Sequence, residues 1–380
     1  MLILVINCGS SSVKYDLFDI TKGSSDIARG TIERIGEEVS VINHHSEGKE
    51  ISEEINCPDH HSAIEKIRDV ITDKEIGVLS DVKEVLGVGH RVVHGGEEFN
   101  QSTLINDEVI KSIEKFSELA PLHNPPSLEG IRGCMKIFNE VPQVAVFDTA
   151  FHQSMEEHVF SYGIPYEMYE KYGIRRYGFH GTSHRYVSSR AAEEIGKPLE
   201  EINLITVHLG NGCSIAAIRN GKSVDTSMGL TPLEGLLMGT RSGDMDPAII
   251  PFIMSREGIG VDEVTDILNK KSGLLGISGI SNDMRDILKA AEEGNKRAHL
   301  AYDVFYYRIK KYIGAYTAVL GHVDAVVFTA GIGENVPQIK DRLKEELGFL
   351  SGNGTKFLTI GTNEDLLIAK DTYEIVNKRP

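Results

Sequence analysis

The residues able to hold a charged ligand are grouped in a few short segments. Asn7, Cys8, Gly9, Ser10, Ser11 and Ser12 make the first polar turn, and Lys14 follows two places later. Gly9 lets the backbone turn and come close to an anion. Three hydroxyls and free N–H groups suit phosphate oxygens. On an alternating strand Ser12 and Lys14 share a face, and Asn7 could hold a metal-bound water. A polar β-turn with a solvated lysine is the plainer alternative. Leu209, Gly210, Asn211 and Gly212 follow an apolar run. Two glycines around one asparagine favour positive φ and a second phosphate cradle, or a tight hairpin. Phe328, Thr329, Ala330, Gly331, Ile332, Gly333, Glu334 and Asn335 read as a strand end running into a helix. That arrangement suits a nucleotide lying over a helix N-terminus, though a bare G-x-G is a weak signal. Arg219, Asn220, Gly221, Lys222 and Ser223 end like a P-loop, but Ala216 stands where that motif needs glycine. Asn220 and Gly221 predict a type I′ hairpin turn instead.

Two arginines stand out. Arg91 lies beside Val92 and Val93 at the end of a strand-like run, and Arg241 lies in a loop with Gly239, Ser242 and Gly243. A guanidinium fork matches a carboxylate or a phosphate, so each predicts an anionic ligand or a structural partner such as Asp148 or Asp244. His180 and His184 are four apart, but Gly178 and Gly181 place His180 in a turn with no acidic ligand nearby. A hydrogen-bonding histidine fits better than zinc. His44, His45, His60 and His61 sit in polar surroundings and read as surface residues.

The elements that must position these groups alternate between strand and helix, which predicts an α/β chain. Buried strands are expected at 2–6, 85–88, 144–147, 204–208 and 325–328. Helices are expected at 107–119, 127–138, 184–195, 261–270, 281–292, 298–320, 339–347 and 365–377. The segment 348–362 reads as a surface loop, and 151–176 as a linker or lid. The start of the chain and the segment from Asn203 echo each other: apolar strand, Gly- and Ser-bearing turn, second strand. Two copies of one hairpin suggest duplicated domains facing one cleft, or only a common hairpin seen twice.

With 380 residues, 41% of them hydrophobic, two domains can bury proper cores. A net charge of −16 argues against a nucleic-acid partner. Four scattered cysteines without a CxxC pair argue against zinc and disulfides. No run reaches membrane-span length and the opening apolar run has no basic flank, so the cytoplasm is the expected address.

Taken together, these segments resemble the acetate kinase family almost end to end. The resemblance is carried by 7–15, 177–184, 207–212, 239–247, 329–337 and by Thr362, Asn363 and Glu364. It implies an α/β fold of the sugar kinase, Hsp70 and actin superfamily: two duplicated actin-like (ribonuclease H-like) domains around a nucleotide cleft. The domains would be 1–150, with a helix at 365–380 packing back onto it, and 151–364. It implies a homodimer and a phosphotransferase that moves a phosphoryl group reversibly between ATP and acetate, giving acetyl phosphate and ADP. By similarity Asn7 and Glu364 would serve Mg²⁺, with Mn²⁺ as a substitute. Lys14, His208, Leu209, Gly210, Asn211, Gly212, Asp283, Met284, Arg285, Gly331, Ile332, Gly333, Glu334 and Asn335 would hold the nucleotide. Arg91 would bind the substrate carboxylate. Val93, Leu122, Phe179 and Pro232 would form a pocket for its methyl group. His180 and Arg241 would stabilise the transition state, and Asp148 is the family's assigned acid/base. One departure is visible: the stretch between Asn335 and Glu364 is shorter than is usual in that family.

Acetate, like side-chain carboxyls of pKa roughly 4, is ionised at neutral pH and has no proton to give up. Asp148 is therefore expected to orient Arg91 or a metal-bound water. A propionate or butyrate kinase of the same family, an acyl-phosphate hydrolase and a non-catalytic nucleotide-binding module are the alternatives.

Overall fold

The computed structural model describes residues 1–21, 25–46, 48–121 and 123–378. The chain divides into two compact units, one of Met1–Phe151 with Asn363–Pro380, the other of His152–Thr362.

The first unit carries strands β1 (Leu2–Cys8), β2 (Ser12–Asp19), β3 (Ser25–Glu33), β4 (Ser40–Ser46), β5 (Lys49–Ile55), β6 (Val85–Val92), β7 (Thr103–Leu104) and β8 (Gln143–Phe147). They form one sheet in the order β5-β4-β3-β2-β1-β6-β8-β7. β1, β2 and β3 pair antiparallel, while β6 and β8 continue the sheet parallel to β1. Alternation along β1 feeds two cores. Leu4 and Ile6 pack with residues of the helices His60–Ile71 and Asn124–Ile137. Ile3 and Val5 pack on the other face with Ile368, Ala369 and Val376 of the helix Glu364–Asn377. That helix comes very close to β6. A Cβ at Gly89 would stand 2.4 Å from Thr372 Oγ1 and 2.7 Å from Ile368 Cγ2.

The second unit holds β9 (Asn203–Leu209), β10 (Cys213–Arg219), β11 (Lys222–Thr226), β12 (Ala325–Thr329) and β13 (Lys356–Thr359). Their order is β11-β10-β9-β12-β13. The first three pair antiparallel, then β12 and β13 run parallel to β9. The run β3-β2-β1-β6-β8 has the same order and the same strand directions, so the hairpin echo in the sequence extends to a five-strand topology. Asn220 (φ 51°) and Gly221 (φ 77°) both lie in the left-handed region between β10 and β11, which is the type I′ turn.

Three sequence expectations are corrected. The segment 348–362 is not a bare loop: it holds the short helix Gly348–Gly352 and β13. His44 and His60 are buried, not on the surface. Gly210 and Gly212 do not take positive φ. At Gly210 an added Cβ would lie 3.2 Å from the Gly212 carbonyl oxygen, whereas at Gly212 it would make only ordinary contacts.

Candidate functional site

In each unit the parallel strands deliver their carboxyl ends to one edge of the sheet, where open α/β sheets place ligands. In the first unit these ends carry Asn7 on β1, Arg91 on β6 and Asp148 directly after β8. Arg91 pairs in register with Val146, and the Asp148 amide donates to the Val92 carbonyl at 3.0 Å. The two side chains therefore meet. Arg91 donates through Nε at 3.2 Å and Nη2 at 2.7 Å to Asp148 Oδ2. Asp148 is almost wholly buried and Arg91 keeps part of its fork at the surface. Burial works against the Arg91 charge, but the carboxylates of Asp148 and Glu364 overcome it and hold the guanidinium above its ordinary range.

Glu364 is the first residue of the helix Glu364–Asn377, and its Oε2 lies 3.7 Å from Arg91 Nη2. The glycines of β6 make this possible, because they let the helix lie low enough to bring its N-terminus beside Arg91. Burial raises the Glu364 carboxyl, Arg91 opposes, and Asp148 and Asp365 raise it further. Lys14 is held at 2.5 Å by Asp365, with Asp16 at 3.4 Å. Burial disfavours its charge, yet these two carboxylates keep the amine above its usual range.

The oxygens of Asn7, Asp148 and Glu364 are the donors a hard divalent cation takes. No cluster of three or more His, Cys, Asp or Glu ligands exists among the described residues. A cation here would thus draw most of its ligands from phosphates and water, as Mg²⁺ commonly does. A buried carboxyl raised by its acidic neighbours is a place where an added cation is welcome, so the residues present fit such an ion.

The second unit carries the other cluster. His180 is the N-cap of the helix Gly181–Ile195 and sits at φ 56°. That conformation is uncommon outside glycine and is often found at functional sites. Its ring stacks on His208, with centroids 4.1 Å apart. A Cβ at Gly212 would lie 3.4 Å from Arg241 Nη1 and 3.5 Å from His180 Nε2. Arg241, His180 and the Gly212 turn thus converge on one spot. Arg241 donates to the Pro232 carbonyl at 3.4 Å and makes no ion pair among the described residues. Burial depresses its pKa, with Cys213 opposing. It is a desolvated cation waiting for an anion.

Beside this spot lies a cavity of about 650 Å³. Gly210, Asn211, Asp283, Met284, Arg285, Gly331, Ile332 and Asn335 line it, together with Asn282 and Val336, which the sequence reading missed. Its size is that of a small-molecule site. Asp283 caps the helix Met284–Glu292 and pairs with Arg285 at 2.5 Å, fixing one wall. Ala330, at φ 66°, begins the other wall after β12. Glu334 is exposed and folds back on the start of its helix: its Oε1 accepts from the Ala330 amide at 2.9 Å and the Thr362 amide at 3.3 Å. His208, Leu209, Gly212, Gly333 and Glu334, also expected at the nucleotide, are not among the lining residues. His208 is held by Ser183 Oγ at 2.8 Å, and Ser183 also meets Thr362 at 2.9 Å. Of the residues expected around a methyl group, Val93 is half-buried in the first unit, while Phe179 is buried and Pro232 half-buried in the second. Leu122 lies outside the described residues.

A cation poised for an anion beside a nucleotide-sized cavity narrows the chemistry, and comparison with known proteins decides the lineage. The model of the acetokinase family matches residues 2–371. The chain belongs to the acetokinase family. Among its acetokinase relatives, the acetate kinase of Halothermothrix orenii is 57% identical over 397 residues, covering 99% of this chain and 100% of that protein. That of Thermoanaerobacter pseudethanolicus is 55% identical over 398 residues, covering 99% of each. The crystal structure of Porphyromonas gingivalis acetate kinase superposes with a TM-score of 0.94 at 44% identity, over 99% of both chains. A propionate kinase from Francisella tularensis superposes with a TM-score of 0.91 at 42% identity, over 98% of this chain and 99% of that one. This acetokinase therefore has the actin-like α/β fold that its sequence suggested, and it is a kinase.

Proposed function

We propose that this acetokinase transfers a phosphoryl group reversibly between ATP and acetate, forming acetyl phosphate and ADP by direct in-line attack. The observation that carries the reading is the convergence of Arg241, which has no ion-pair partner among the described residues, with His180 at the Gly212 turn, beside the 650 Å³ cavity.

An acetate oxygen attacks the γ-phosphorus, the new P–O bond forms, and the bond to the β-phosphate oxygen breaks with its electrons leaving on ADP. Acetate brings no proton, so the step needs no general base. Arg91 binds the acetate carboxylate, and Asp148 holds the fork in place. The charge spreading over the equatorial phosphoryl oxygens is met by Arg241 and by the His180 ring, as in other phosphoryl transfers where positioning and cationic donors dominate. The walls at Gly210, Asn211, Asp283, Met284, Arg285, Gly331, Ile332 and Asn335 receive the nucleoside, while His208, Leu209, Gly212, Gly333 and Glu334 shape the turns behind it. Lys14 completes the nucleotide contacts. Asn7 and Glu364 would hold Mg²⁺, or Mn²⁺ in its place, which supplies charge neutralisation at the phosphates. Contact with the substrate's methyl group is assigned, by resemblance to the family, to Val93, Leu122, Phe179 and Pro232. No helix among the described residues is long and apolar enough to cross a membrane. A cytoplasmic homodimer without a nucleic-acid partner is the setting that fits.

A hydroxylamine trap with ATP, Mg²⁺ and a panel of short acids tests this. Hydroxamate should form with acetate and fall off with longer acids. ATP consumption without hydroxamate from any acid would overturn the proposal.

A further inference from the structure

The His180 ring has a buried support that the phosphoryl-transfer scheme does not use. Ser214, on β10, is fully buried with its hydroxyl between two imidazoles. Its Oγ lies 2.9 Å from His180 Nδ1 and 2.8 Å from His184 Nε2. His184 Nδ1 lies in turn 2.7 Å from Thr206 Oγ1. Ser214, His184 and Thr206 all have no exposed surface.

A hydroxyl has one proton to donate. Ser214 can therefore donate to one ring and must accept from the other. Burial, reinforced by His152 and His208, holds His184 well below its usual pKa, so that ring is neutral with a single N–H. The hydrogen bonds along the chain must consequently all point the same way. Pointing forward, Thr206 donates to His184 Nδ1, His184 Nε2–H donates to Ser214, and Ser214 donates to His180 Nδ1. The proton of neutral His180 is then on Nε2, the nitrogen 3.5 Å from a Cβ at Gly212, where Arg241 also points. A phosphoryl oxygen there meets an N–H donor. Pointing backward, a neutral His180 would turn a lone pair toward that oxygen and repel it.

We propose that Ser214, backed by His184 and Thr206, is a positioning residue that fixes the orientation of His180 and keeps its proton on Nε2. This rests on His180 acting at the phosphoryl group. Removing the Ser214 hydroxyl takes away the donor to Nδ1, so the ring loses that contact and the preference for the Nε2–H tautomer that goes with it.

The test combines kinetics with ¹⁵N NMR of imidazole-labelled enzyme. Wild type should show His180 with a pyrrole-like Nε2 and a pyridine-like Nδ1. Ser214→Ala should mix or invert that pattern and lower kcat about tenfold or more, as loss of a supporting partner commonly does, with KM for ATP and acetate little changed. Thr206→Val should act in the same direction, and Thr206→Ser, which keeps the hydroxyl, should restore both readouts. This second pair carries the test if Ser214→Ala does not fold. A wild-type His180 protonated on Nδ1 alone, or variants with an unchanged tautomer and unchanged kcat, would overturn the inference. His180→Gln separates the two layers. Full activity in that variant would instead remove the reading on which the inference rests.

Discussion

Arg91 donates from Nε to both carboxylate oxygens of Asp148, at 3.3 and 3.2 Å, and from Nη2 to Oδ2 at 2.7 Å, so the buried carboxylate holds one edge of the guanidinium while the rest of the fork stays available. A carboxylate held this way orients a cation. Arg91→Ala should lower kcat on the order of 10³-fold, as for other cationic clamps of phosphoryl transfer. Asp148→Asn should lower kcat and raise KM for acetate together. Adding Asp148→Asn to Arg91→Ala should cost little more, because the two act as a unit. Steady-state kinetics check all three, and near-normal turnover in Asp148→Asn would end its positioning role.

Arg241 stands in the opposite condition, half-buried with no carboxylate partner among the described residues. Arg241→Ala should cost on the order of 10³-fold in kcat. Arg241→Lys should recover little, since an ammonium cannot reproduce the planar fork. A loss below tenfold in either variant, measured under saturating substrates, would count against its place at the phosphoryl group.

Selectivity among acids should be shallow. One methylene in an apolar pocket is worth about 1–3 kcal/mol. With valine at position 93, kcat/KM should fall from acetate to propionate to butyrate. Val93→Ala should move the ratio toward propionate by about tenfold, within that energy range. A wild-type preference for propionate would favour the function named for the Francisella relative.

Asp16 gives a pH signature in stability. Burial, then the neighbouring Asp365 charge, raise its pKa to about 6, with Lys14 partly opposing. An unfolded aspartate titrates near 4. Between those values the native state holds a proton that the unfolded chain has lost, so stability declines as pH rises through this window and the penalty is complete above it. Asp16→Asn should therefore stabilise the protein at pH 7.5, by on the order of 2 kcal/mol, and make little difference near pH 4. Thermal melts across pH check it, and equal melting temperatures at pH 7.5 would contradict it.

What could be read from sequence follows from how each element earns its burial. β1, β8 and β12 are nearly continuous apolar runs and stand out. β4 does not, because its inward positions are Ser40, Ile42, His44 and Ser46. Its polar groups are satisfied across the structure, with Ser40 Oγ donating to the Arg34 carbonyl at 3.0 Å and His44 meeting Tyr15 Oη at 2.6 Å. No periodicity rule detects such a strand. The helix His60–Ile71 was missed although Asp59 and Ser62 cap it reciprocally and Ala63, Ile64, Ile67 and Ile71 form its buried stripe. In the site, glycine-turned hairpins and lone arginines were visible as types. The Ser214 and Thr206 hydroxyls were not, because alternating strands are full of such residues and only the fold brings them to His184. The signal for Glu364 beside Arg91 was present in Gly87 and Gly89, which mark where another backbone must come close.

The most direct test of the central claim is ATP formation from acetyl phosphate and ADP in the presence of Mg²⁺. The account predicts one ATP for each acetyl phosphate consumed, with turnover lost in Arg91→Ala and Arg241→Ala. Release of inorganic phosphate in place of ATP, at the same rate with or without ADP, would contradict it.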